Sequence, residues 1–260
     1  MRASFGIGAV IVVIAAAVLI GRGFGAKGTI VLSGARAELS MTALNAVDVF
    51  VTLQNGAEPD LLIGARSNSA QVEVINPEGQ ISPPIPANST VSLSLDGVFL
   101  RLSGFETLPE EGQLIPISLM FETSGEVSSR ALVGRPADLH GNHMALGMME
   151  GAPLVEAGQA LPSIALDMIQ QRNGTWEVVL ETTDFTFDPD TPEPVHQAGH
   201  GHAHLYINGL KVLRMHEGRA VIGALPQGNH LVRAALNTND HRPYVDDAGP
   251  IEARMQITVD

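Results

Sequence analysis

From Thr29 to Asp260 the chain holds no long stretch with a 3.6-residue apolar repeat. Short alternating segments are broken instead by Gly, Pro, Asn and Asp. A period of two sends successive side chains to opposite faces of a strand, and many short segments of this kind are an all-β signature. Segments 29–32, 47–54, 61–65, 71–75, 90–95, 98–102, 114–122 and 127–133 read as the strands of one β domain, residues 28–135. Segments 164–170, 175–182, 202–208, 210–215, 219–222, 230–236 and 251–259 read as a second, residues 163–260, with the strand density of an immunoglobulin-like sandwich. The Gly/Pro/Met/His-rich stretch 136–162 reads as a linker between them.

Ahead of both lies an apolar run from Phe5 to Ile20, preceded by Arg2 and followed by Lys27 after a Gly-rich turn. A run of this length behind a basic residue predicts export, so residues 1–27 are expected to be a signal peptide or a membrane anchor and the rest of the chain periplasmic. As an anchor it would tether the protein through residues 5–25. The chain has no cysteine, so no disulfide staples it and no thiolate is available for metal or catalysis. Any soft ligand has to come from its nine methionines. Its 28 carboxylates against 15 Lys and Arg argue against a nucleic-acid partner.

Four of the nine histidines fall between His196 and His204. His202 and His204 stand at i and i+2 on a predicted strand, which points both rings to one face. The strand runs into Asn208-Gly209, a strong signal for a two-residue hairpin turn. A regular hairpin from that turn pairs Ile207 with Leu210, Tyr206 with Lys211, Leu205 with Val212, His204 with Leu213 and His202 with Met215. It puts Met215 on the histidine face and His216 on the other, as a bystander. The expected metal set is His202, His204 and Met215, with His241 from the loop Asn239-Asp240-His241-Arg242-Pro243 closing it, Asp240 or a carbonyl orienting a ring, and His230 and His200 as further candidates. Imidazoles with a thioether favour copper, as Cu(I) or Cu(II), over zinc. The stretch His140, His143, Met144, Met148 and Met149 offers a flexible relay, or incidental residues in a linker.

Residues 34–133 resemble the PCu(A)C family of copper chaperones, through Gly34-Ala-Arg36-Ala, Met41-Thr-Ala43, Val49-Phe-Val-Thr-Leu-Gln-Asn55-Gly56, Asp60-Leu-Leu-Ile63-Gly-Ala65, Ser69-Ala-Gln-Val72-Glu73 and Gly112-Gln-Leu-Ile-Pro116. The resemblance implies a cupredoxin-like β-sandwich in a periplasmic protein. It also implies a Cu(I) site whose first His falls at Ile75 and whose His-x-Met pair, after the turn Asp96-Gly97, falls at Phe99 and Arg101. None of the three is a copper ligand, and no methionine lies between Met41 and Met120. In the second half, Gly-His-x-His-Leu-Tyr-Ile-Asn-Gly, Leu-Pro-x-Gly-x-His and Asn-Asp-His-x-Pro resemble a group of small exported His-rich β domains, which groups His202, His204, His230 and His241.

The expected architecture is thus two β-sandwich domains, cupredoxin-like and Ig-like, after a hydrophobic segment. The expected function is copper binding as a chaperone or buffer, with the site at the surface of the C-terminal domain and a copper-accepting membrane protein such as an oxidase subunit as partner. The alternatives are a metal-free scaffold or protein-binding module, and a zinc or nickel carrier. No Gly-x-Ser-x-Gly elbow, phosphate loop or His-Glu-x-x-His is present, so no catalytic residue is expected and the chain does not read as an enzyme.

Overall fold

The computed structural model describes residues 29–79, 82–134, 160–190 and 197–260. The hydrophobic segment 1–27, the stretch from His140 to Met149 and His196 lie outside the described residues. No helix among the described residues is long and apolar enough to cross a membrane.

The chain is all-β, and the alternating segments become its strands. The N-terminal half contributes β1 (Val31–Leu39), β2 (Ala46–Gln54), β3 (Asp60–Arg66), β4 (Gln71–Ile75), β5 (Pro84–Ile85), β6 (Thr90–Leu93), β7 (Phe99–Ser103), β8 (Leu114–Phe121) and β9 (Gly125–Val133). The C-terminal half contributes β10 (Ser163–Gln170), β11 (Trp176–Thr183), β12 (Thr186–Phe187), β13 (His200–Ile207), β14 (Leu210–Met215), β15 (Arg219–Ile222), β16 (Gly228–Asn237), β17 (Val245–Asp246), β18 (Gly249–Pro250) and β19 (Glu252–Val259). Four of these, β5, β12, β17 and β18, are two-residue pairings too short for an alternation to announce.

One sheet passes through both halves, in the order β19-β16-β13-β14-β6-β2-β1-β9-β8-β3-β5. The strands β4 and β7 extend it from β2, and β10-β11-β15 form a separate three-stranded sheet. The two series meet where Lys211 of β14 pairs with Ser92 of β6. Around that seam Asn76 Nδ2 donates to the Asn208 carbonyl at 2.9 Å, and the Ala87 N–H donates to the Ala224 carbonyl at 2.9 Å. Glu78 accepts from both Arg233 and Arg254 at 2.8 Å. Gly97 lies so close to the hairpin turn that a Cβ there would stand 2.7 Å from the Gly209 carbonyl oxygen. The turn Asp96-Gly97 of the N-terminal half is therefore seated directly on the hairpin β13-β14.

The core reflects that placement. Strands β2 and β13 are buried on both faces, β2 among Val47, Val49, Val51 and Leu53, and β13 among Ala203, Leu205 and Ile207. Asp48, the charge inside β2, is met by Arg101, whose Nε and Nη2 donate to its two carboxylate oxygens at 2.8 and 3.0 Å.

Candidate metal centre

The turn Asn208-Gly209 forms as expected, with both residues at positive φ, 46° and 83°, as a type I′ turn requires. Ile207 pairs with Leu210 and Tyr206 with Lys211. One residue later the register shifts: Leu205 pairs with Leu213, His204 with Arg214 and Ala203 with Met215, leaving Val212 as the extra residue of a β-bulge. A one-residue shift exchanges the two faces of everything beyond it. Met215 is thereby turned into the hydrophobic core, 2% exposed, and is not a ligand of the histidine face. His216 moves the other way. It is brought beside His202, with ring centroids 5.2 Å apart, rather than to the opposite face.

Three imidazoles converge. His202 Nε2 stands 3.0 Å from His204 Nε2 and 3.2 Å from His241 Nδ1, and the ligand atoms of all three lie within 4.8 Å of one another. Metal–imidazole bonds are about 2.0–2.1 Å, so nitrogens on one ion are about 2.9–3.4 Å apart for angles between square and tetrahedral. The separations of 3.0 and 3.2 Å fall inside that window. His202 and His204 come from β13; His241 comes from the loop after β16, where the Thr238 N–H donates to the Arg242 carbonyl and the His241 N–H to the Thr238 carbonyl, both at 2.9 Å. That tight loop holds His241 at φ 66°, a left-handed conformation that non-glycine residues adopt rarely and that tends to mark functional positions.

The tautomer of His204 follows from its neighbours. Tyr206 donates its hydroxyl proton to Asp96 Oδ2 at 2.7 Å, and Lys211 Nζ donates to the same oxygen at 2.7 Å. His204 Nδ1 lies 3.2 Å from both Tyr206 Oη and Asp96 Oδ2, so with that proton spent it has only acceptors to face. Nδ1 therefore carries the hydrogen, and Nε2 presents its lone pair to the cluster. Burial alone would push the Asp96 carboxyl up, but its hydrogen bond to His204 and the Lys211 charge hold it well below the usual carboxylate range. Burial pushes the rings the other way: His204 is lowered to about 4 despite Asp96, and His241 to about 4 with help from Arg214 and Lys211. His202 is lowered further by burial and by His204 and His241. All three rings are therefore neutral at physiological pH, the form that binds metal.

The site is covered rather than displayed at a domain surface, since His202 and His204 are 1% and 0% exposed. His241 is half-buried and forms its more accessible side. The other expected ligands lie elsewhere. His230 sits toward the hairpin turn, its Nε2 donating to the Pro226 carbonyl at 2.8 Å and its Nδ1 facing Asn208 Nδ2 at 3.4 Å, and braces the backbone. His200 has its Nδ1 3.0 Å from Asp188 Oδ1 and its Nε2 2.8 Å from Gln197 Nε2. Two residues beside the cluster, Asp96 and His216, are ones that the sequence pattern does not assign to it. Asp96 is 110 residues from Tyr206, and no local pattern joins them. The bulge did leave a trace, because Leu210 and Val212 alternate in one phase and Leu213 and Met215 in the other.

Gly201 shows how closely β13 is fitted ahead of His202. A Cβ there would run into the Asn237 carbonyl of the neighbouring strand. Gly201→Ala is expected to cost about 1–3 kcal/mol through that overlap, read as a lowered melting temperature.

In the N-terminal half, Ile75 pairs with Phe99 across β4 and β7, and Arg101 pairs with Glu73 while gripping Asp48. Phe99 packs against Phe50 with centroids 6.0 Å apart. These positions offer packing and an ion pair, with no donor for copper.

No family model and no curated protein matches the chain. Among solved structures it is similar to the copper-bound PCuAC domain from PmoF2, at 22% identity over 41% of this chain and 93% of that one, with a TM-score of 0.37. It is similar to the apo PCuAC domain from PmoF1 at 17% identity over 41% and 94%, also at 0.37. A third is CuI-DR1885 from Deinococcus radiodurans, at 22% identity over 41% and 78%, with a TM-score of 0.35.

Proposed function

We propose that this is an exported copper-binding protein, a carrier or buffer, which holds the ion on His202, His204 and His241. The observation that carries the reading is the convergence of three neutral imidazole nitrogens within 4.8 Å of one another, with His202 Nε2 at ion-sharing distance from both His204 Nε2 and His241 Nδ1. Among divalent first-row metals copper binds such nitrogen sites most tightly. With Met215 in the core, the cluster is all-nitrogen and does not depend on a thioether. The same fact favours zinc as the second reading, because three histidines with a fourth position open are a familiar zinc arrangement. The half-buried His241 gives a route for ligand exchange with a copper-accepting membrane protein, such as an oxidase subunit, since one ring on a loop yields more readily than two on a buried strand.

Competition titration of the purified protein with Cu(I), Cu(II) and Zn(II) tests the reading. Copper is expected to bind well below micromolar Kd, about 8 kcal/mol or more of binding free energy. His202→Ala with His204→Ala should abolish this, whereas Met215→Leu should leave it unchanged. Binding that survives the double substitution, or no copper binding at all, would overturn the proposal and leave a metal-free scaffold. Tighter zinc than copper binding would turn it toward a zinc carrier.

A further inference from the structure

We propose that His216 is a fourth ligand of the same ion, an inference that rests on the metal reading above and deepens it. The bulge at Val212 pairs Ala203 with Met215, which places His216, the next residue, across from His202 on the histidine face. The ring centroids lie 5.2 Å apart with the planes 33° from parallel, so the two imidazoles are direct neighbours. His216 Nδ1 is 2.8 Å from the Asp188 carbonyl oxygen. A carbonyl only accepts, so Nδ1 holds the proton and Nε2 is a bare lone pair.

That lone pair is sealed from solvent and has no hydrogen-bond partner among the described residues. A buried polar atom left unsatisfied demands a reason, and a bound ion supplies one. A ring N–H fixed by a backbone carbonyl, with the other nitrogen free, is how protein scaffolds orient metal-binding histidines. Asp188 also ties this arrangement to the other side of the cluster: Asn239 Nδ2 donates to its Oδ2, two residues before His241, while His200 Nδ1 meets its Oδ1. One residue thus anchors His216 and the loop that carries His241.

The three converging nitrogens already lie within 4.8 Å of one another, and His216 Nε2 stands outside that set. Ligation therefore requires its ring to tilt toward the ion while the hairpin backbone stays fixed. Four imidazoles suit the tetragonal field of Cu(II), so the fourth ring should raise affinity for Cu(II) more than for Cu(I).

The experiment is pulsed electron paramagnetic resonance of the Cu(II)-loaded protein, alongside Cu(II) and Cu(I) competition titrations of the wild type, His216→Gln and His202→Gln. The wild-type spectrum should report four coordinated imidazoles. His216→Gln should report three, with Cu(II) affinity down by about tenfold or more and Cu(I) affinity changed less. Three imidazoles in the wild type, or a His216→Gln protein with an unchanged spectrum and affinity, would overturn the inference while His202→Gln still loses binding. If His202→Gln binds copper with the wild-type spectrum and affinity, the metal reading itself fails. The wild-type imidazole count decides the matter even where a variant does not fold.

Discussion

Asp96→Asn is expected to lower copper affinity by about 10–100-fold, the usual consequence of losing the group that orients a metal-binding histidine. The carboxylate accepts from Tyr206 and Lys211 at 2.7 Å and faces His204 Nδ1 at 3.2 Å, all at Oδ2. An amide in its place has one oxygen for three donors, and its NH2 is a donor turned toward donors. The ring of His204 then loses what holds its Nε2 toward the cluster. Stability should fall as well, because the Lys211 ammonium, 15% exposed, is left without a counter-charge. Removing one partner of a buried ion pair costs about 3–5 kcal/mol, and partial access of Lys211 to water places the cost toward the lower end. Thermal melts of the metal-free protein and competition titration of the loaded one separate the two effects. Wild-type affinity in a folded Asp96→Asn protein would show that Asp96 is a structural ion pair and nothing more for the site.

The metal-free protein is expected to lose stability steeply as pH falls from 6.5 to about 4. His204 and His241 are lowered to about 4 in the folded chain, chiefly by burial, and His202 further still. An unfolded histidine titrates at about 6.5, so below that pH the unfolded chain takes up protons that the folded site refuses. Stability is therefore complete above pH 6.5, declines through the window, and stops declining on account of His204 and His241 only near pH 4, where they also protonate when folded. At 1.36 kcal/mol per pK unit, the fully buried His204 alone contributes about 3 kcal/mol of loss across that interval. A domain has about 5–15 kcal/mol to lose. The lowered Asp96 does not act in this window, since its contribution is present above the ordinary carboxylate pKa and is lost only below it. Urea unfolding at pH 7.5, 6 and 5 checks the slope; equal stability at all three would mean that the imidazoles are not held neutral by burial.

Much of the fold was legible because half-buried strands write themselves as alternation. The segment 71–75 is β4 to the residue, and 210–215 is β14. What alternation cannot show is which strands become neighbours. The sheet runs from one half to the other through Lys211 and Ser92, and nothing local to either residue announces that pairing. The site divides along the same line. His202 and His204 were legible from their i, i+2 spacing, and His241 from a distinctive loop. Met215 departs from the face that a regular hairpin predicts because the ladder bulges at Val212, and Asp96 has no local signal because its partners are more than a hundred residues away.

The bulge at Val212 makes donor chemistry a question of phase. Read in register, the strand turns the sulfur of Met215 toward the histidine face; read one residue out of register, it turns the imidazole of His216 there, with the same amino acids in the same order. Inserting or deleting a single codon between the turn and His202's partner therefore exchanges a soft donor for a borderline one on that face, without altering His202, His204 or His241. Counting histidines and methionines in such hairpins will mistake one donor set for the other unless the phase of the strand is established first.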